Sequence, residues 1–187
     1  MQRIVLASQS PRRKQLLEWA EIDFDIIVPQ TDESFPPGMA IDELPIHIAR
    51  EKALSIQSEL AHERIILAAD TVVVLNNEII GKPTDRFHAV EILSKLSGNK
   101  HQVITGVVLL KSNRQVAFAD TTDVVFHPLT KEQIGFYVDK YKPYDKAGAY
   151  AIQEWIGVVG IKSISGDFYN VMGLPVSRVV KELKALI

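Results

Sequence analysis

The stretch Ile65 to Gly81, IILAADTVVVLNNEIIG, decides the class of fold. An apolar, β-branched run, two asparagines and a second short apolar run read as a buried strand, a tight turn and a return strand. Asparagine tolerates the positive φ that two-residue hairpins demand. A hairpin joins antiparallel strands, so a sheet built around this one is not purely parallel. Upstream, Ile4 to Ala7 is a short apolar run, followed by Ser10 as an N-cap and Pro11 at the first helical position. Phe24 to Val28 is β-rich and leads into the polar, proline-broken loop Pro29 to Gly38. A helix is expected from about Ile41 to Leu60, with Pro45 in its first turn and Ala49, Ala53, Ile56 and Leu60 along one stripe.

Downstream of the hairpin, a helix is expected from about Asp85 to Leu96, with Ala89, Ile92, Leu93 and Leu96 on one face and Gly98 as its stop. Two strands follow, HQVITGVVLL and VAFADTTDVVF. Thr130 and Gln133 form a capping box for a helix carrying Ile134, Tyr137, Val138 and Tyr141. YKPYDKAGAYAIQ reads as a loop and VVGIKSIS as a strand. Pro175 opens a C-terminal helix with Val176, Val179, Val180, Leu183 and Ile187 on one face. This order predicts an α/β layered fold with a mixed sheet flanked by helices.

At 187 residues, a single domain is the default and two small lobes are compatible with the length. Hydrophobic residues at 47% and charged residues at 24% fit a folded globular protein. The net charge of −2 supplies no broad basic field, so neither nucleic acid nor an anionic membrane is an expected partner, and any phosphate binding must be local. The absence of cysteine excludes disulfides, thiolate metal sites and cysteine nucleophiles. The N-terminal apolar run is too short for a signal peptide, and no apolar run is long enough to span a bilayer, so a cytoplasmic protein is expected.

Positive charge stands where a helix ordinarily wants negative charge. In LASQSPRRKQLL, Leu6 to Leu17, Arg12 and Arg13 fall in the first helical turn, at the positive end of the helix dipole. One reading is an anion held by the first-turn N–H groups, the Ser8 and Ser10 hydroxyls and a guanidinium; the other is two solvated arginines. Asp70, inside an apolar run, demands a partner, a metal or a proton, and magnesium is one natural partner; a strand-end aspartate capping nearby N–H groups is the alternative. The Asp32-Glu33 pair could share an ion or orient water, or be simply solvated. Lys52 and Lys82 are candidate counter-charges for phosphate and, taken singly, ordinary surface lysines. In DKAGAYAIQ the small residues Ala147, Gly148 and Ala149 permit close backbone approach to a ligand or merely tight packing, and Gln153 can both donate to and accept from a nucleobase edge. The five histidines show no metal-ligand spacing, and no P-loop, dinucleotide fingerprint or nucleophile elbow is present.

Seven blocks in order, LASQSPRRKQLL, REKA, AADTVV, GKP, LSGNKHQVITGV, DKAGAYAIQ and GDFYNVMGLPV, resemble the Maf family of nucleoside triphosphate pyrophosphatases from about residue 4 to residue 180. The resemblance implies an inosine triphosphatase-like (Maf/Ham-type) fold: one domain over 1–187, a long twisted mixed sheet flanked by helices, and two lobes with a central cleft. It implies magnesium-dependent hydrolysis, with manganese as the alternative ion, between the α- and β-phosphates of a nucleoside triphosphate. Asp70 would be the catalytic carboxylate, as general base or metal ligand, with Glu33 as second carboxylate. Ser8, Arg13, Lys52 and Lys82 would hold phosphates. Arg12, Thr71 and Gln153 would set base choice and look like the branch acting on dTTP, UTP and modified pyrimidines. A homodimer is expected from the family alone. Because the family has also been linked to inhibition of bacterial septum formation, a non-enzymatic nucleotide-binding regulator is the competing expectation.

Overall fold

The computed structural model describes residues 3–32, 34–58, 60 and 64–186. Glu33, His62 and Ile187 therefore lie outside the described residues. Strands β1 (Ile4–Ala7), β2 (Phe24–Ile26), β3 (Ile66–Leu75), β4 (Glu78–Ile80), β5 (Lys100–Lys111), β6 (Arg114–Phe126) and β7 (Ile161–Ser165) form a seven-stranded sheet. Hydrogen bonding runs in the order β2-β1-β3-β5-β6-β7, with β4 paired to β3. The pairs β1–β2 and β1–β3 are parallel, whereas β3–β4 and β6–β7 are antiparallel. The sheet is thus mixed, and the helices that flank it complete the α/β fold the hairpin predicts. Asn76 and Asn77 take φ of 50° and 63° in the β3–β4 turn.

Two compact units partition the chain. The first comprises Met1–Thr71, Thr105–Asp120 and Gly173–Ile187 and carries α1 (Pro11–Trp19), α2 (Leu44–Gln57) and α7 (Val176–Leu186). On one face of its strands Val5, Ala7, Ile66, Ala68, Val108 and Leu110 pack against Ala49, Ala53 and Ile56 of α2. Small residues on both sides let α2 approach closely. At Gly106 the approach leaves no room for a side chain, since a Cβ there would lie 2.3 Å from Pro45 C and Ile46 N. The helix is shorter than expected: residues 41–43 form a turn, and the helix begins at Leu44 with Pro45 in its first turn. Proline is pre-set for that position, so the helix starts there rather than at Ile41.

The second unit comprises Val72–Ile104 and Thr121–Met172 and carries α3 (Arg86–Leu96), α4 (Lys131–Tyr141), α5 (Trp155–Gly160) and α6 (Phe168–Met172). Asp85 caps α3 by accepting from His88 N–H, and Thr130 with Gln133 closes the expected capping box of α4. VVGIKSIS corrects the reading of its first three residues. Val158, Val159 and Gly160 belong to α5, and the strand starts at Ile161. Their β-branched side chains favour strand, but the Glu154 carbonyl accepts from Gly157 N–H at 2.9 Å and Val158 N–H at 3.3 Å and winds the segment into a helix. Short helix α6 was not expected; the Asp167 carboxylate accepts from the N–H groups of Tyr169 and Asn170 at 2.6 and 3.1 Å and starts it. Among the described residues, no helix is long and apolar enough to cross a membrane.

Candidate active site

β1 delivers the chain to α1 through Ser8-Gln9-Ser10. Ser10 caps the helix, its Oγ accepting from Arg13 N–H at 3.5 Å, and Pro11 occupies the first turn as expected. That turn holds no acidic residue. Arg12 is half-buried, whereas Arg13 is buried and folds back over three neutral oxygens. Its Nε donates to the Gly173 carbonyl at 2.9 Å, Nη1 to Ser8 Oγ at 3.4 Å, and Nη2 to Thr71 Oγ1 at 3.1 Å. Gly173 has φ of 117°, a conformation side chains rarely adopt, so glycine is what presents this carbonyl.

The hydrogen-bond inventory fixes the polarity of Ser8. Its Oγ accepts from Ser10 N–H at 3.1 Å and from Arg13 Nη1, which uses both lone pairs. The hydroxyl proton is left as a donor on a buried side chain. An anionic oxygen beside a helix N-terminus is the acceptor that fits such a donor.

Asp70 and Thr71 are the two less-buried positions in the middle of β3. As neighbours on a strand they address opposite faces. Asp70 continues the face of Ile66 and Ala68 toward α2, where Lys52 Nζ donates to its Oδ1 at 2.8 Å. The two side chains are 10% and 15% exposed, so this pair is largely desolvated. Among the described residues, Oδ1 is the oxygen of Asp70 that carries a hydrogen bond. Thr71 addresses the other face, accepting from Arg13 and lying 2.9 Å from Thr105 Oγ1. Consecutive positions of β3 therefore anchor two groups within the first unit, Lys52 with Asp70 on one face and Arg13 and Ser8 with Thr71 on the other.

Lys82 and Gln153 are exposed residues of the second unit. Gly148 N–H donates to the Gly81 carbonyl at 3.2 Å, tying the segment beside Lys82 to the Ala147–Ala149 turn. Gly148 has φ of 71°, and a Cβ there would lie 2.9 Å from Val73, so close packing on Val73 requires glycine at this position. Next to Gln153, Glu154 accepts from Tyr137 Oη and lies 3.7 Å from Lys146 Nζ. Tyr137 Oη also accepts from Ala151 N–H at 3.1 Å, which ties down the backbone leading to Gln153. Glu33 lies outside the described residues. Among the described residues, no cluster of three histidine or acidic side chains could hold a metal by itself.

Sequence reasoning missed Gly173 and Thr105. Gly173 before Leu174-Pro175 signals a turn but not an acceptor for a guanidinium 160 positions upstream. Thr105 sits in an apolar strand with no local mark of a site.

The fold has a known counterpart. The Staphylococcus aureus Ham1 protein is similar in structure with a TM-score of 0.53 at 17% identity, covering 98% of this chain and 100% of that one. The chain thus has a Ham1-type fold. Within that class it belongs to the Maf family, whose model, described as Maf-like protein, matches residues 3–186. A Bacteroides thetaiotaomicron protein named dTTP/UTP pyrophosphatase is 49% identical over 184 residues, 98% of this chain and 95% of the relative. A Cytophaga hutchinsonii protein of the same name is 46% identical over 183 residues, 98% of this chain and 84% of the relative.

Proposed function

We propose that this chain hydrolyses dTTP and UTP, with modified pyrimidine triphosphates as further substrates, to the nucleoside monophosphate and pyrophosphate. The names of near-full-length relatives support the substrate class. The observation that carries the chemistry is that consecutive residues of β3 anchor a buried lysine–carboxylate pair through Asp70 and, through Thr71 and Arg13, a serine committed to donate beside a helix N-terminus. Ser8 and Arg13 bind phosphate oxygens. Lys52 carries three N–H donors, so it can hold Asp70 and a phosphate oxygen at once. Asp70, oriented by Lys52 through one oxygen, accepts the proton of the attacking water through the other. No covalent nucleophile is required, because phosphoryl transfer is promoted by positioned cations.

A magnesium ion, with manganese as the alternative, fits this donor set, since magnesium is usually held by one or two carboxylates together with substrate phosphates. Asp70 and Glu33 would hold it, and when bound it neutralises charge developing on the phosphates. Lys82 is assigned to the phosphates and Arg12, Thr71 and Gln153 to the base, by the family resemblance. The same resemblance carries the expectation of a homodimer in the cytoplasm, which sedimentation and fractionation test. Pyrophosphate release from dTTP and UTP with magnesium, lost in Asp70→Asn, is the expected result. Release of orthophosphate alone, or nucleotide binding without turnover, would sink this reading; the latter would favour a regulator.

A further inference from the structure

Thr105 stands behind the site rather than in it. It is fully buried on β5, and its Oγ1 lies 2.9 Å from Thr71 Oγ1, which accepts from Arg13 Nη2 at 3.1 Å. A guanidinium can only donate, so Arg13 occupies one lone pair of the Thr71 hydroxyl. The contact with Thr105 occupies either the other lone pair or the proton. Ser8, on the opposite side of the guanidinium, has the same arrangement, with Ser10 N–H in the place of Thr105. Two hydroxyls thus flank Arg13, and each has a backing group. One backing group is a backbone amide at the start of α1; the other is a side chain on β5.

We propose that Thr105 is a positioning residue: by holding the Thr71 hydroxyl from behind, it sets the plane of the Arg13 guanidinium for polyphosphate. A hydroxyl with one partner swings about its own bond, whereas one held from two directions is a fixed acceptor. A guanidinium fork recognises phosphate through its orientation, so a loose flank weakens binding without altering charge. The proposal rests on the assignment of Arg13 to phosphates made above.

Calorimetric titration of the full chain with inorganic pyrophosphate and magnesium tests it without involving a base. Thr105→Val keeps shape and removes the hydroxyl; its Kd should rise by about 3- to 10-fold, the worth of one hydrogen bond. Thr105→Ser should return Kd to within about twofold of the parent, with thermal midpoints measured alongside. In a Thr71→Val background the further change Thr105→Val should have no effect, because its route to Arg13 is already cut. Should Thr105→Val fail to fold, Thr105→Ala, which removes the same hydroxyl without adding bulk, must show the same rise. An unchanged Kd, additive effects in the double variant, or a parent protein that does not bind pyrophosphate would overturn the proposal. A parent that binds pyrophosphate but releases none from dTTP or UTP would defeat the proposed activity and leave this test standing.

Discussion

Two buried polar clusters, one in each unit, are built in opposite ways. In the first, opposite charges meet: Lys52 and Asp70 are 2.8 Å apart, and the Arg13 guanidinium lies on the oxygens of Gly173, Ser8 and Thr71. In the second, His101 is buried against Phe126 and Tyr150, with its Nε2 2.7 Å from Tyr150 Oη and no carboxylate partner among the described residues. Burial pushes the His101 pKa down from 6.5 to about 4 and the Tyr150 pKa up, so both are neutral at physiological pH. Desolvation alone therefore does not make a chemical site. What separates the two clusters is the character of the buried groups: Lys52, Arg13 and Ser8 are cationic or committed donors suited to an anion, whereas His101 and Tyr150 are a neutral pair.

The comparison breaks most severely at Asp70. Asp70→Asn keeps the shape and a lone pair for Lys52 but removes the charge, and pyrophosphate release from dTTP should fall by about 1000-fold. Lys52→Met leaves the Asp70 carboxylate largely desolvated and unpaired. Its activity should drop about 100-fold and its unfolding free energy by about 3 kcal/mol, read from the urea midpoint.

His101 sharpens the contrast through pH. Its folded pKa of about 4 lies below the ordinary 6.5, so the unfolded chain takes up the proton first as pH falls. Its contribution to stability is complete above pH 6.5 and is lost progressively toward pH 4, amounting to about 3 kcal/mol. Denaturant midpoints measured across that range should slope downward with acid, and His101→Phe should remove this component of the slope. The smallest effect belongs to Arg12. Arg12→Ala should change the dTTP-to-CTP ratio of kcat/KM by about tenfold while leaving the stability within about 0.5 kcal/mol of the parent.

Local signals were readable and distant ones were not. Asn76-Asn77, Ser10-Pro11 and the Thr130/Gln133 box each depend on a few consecutive residues, and each forms as expected. Helix electrostatics singled out the Arg12-Arg13 pair for the same reason. The partners of Arg13 could not be found that way, since Thr71 and Gly173 lie 58 and 160 positions away and owe their places to sheet pairing and to a turn. Asp70 announced that it needed a partner, but nothing in its strand named Lys52, which arrives through the seating of α2 on small residues around Gly106. Val158 and Val159 misled because strand propensity is weaker than a local hydrogen-bonded turn. Of the two readings of the Ala147–Ala149 stretch, close packing is visible at Gly148, whose partner Val73 lies 75 positions upstream.

The carbonyl that holds Arg13 belongs to Gly173, in the last of the three segments that make up the first unit. Donor and acceptor are 160 positions apart, so the guanidinium is fixed on this side only once that last segment has joined the unit. The pose of Arg13 thereby reports the closure of the whole first unit rather than the formation of its own helix.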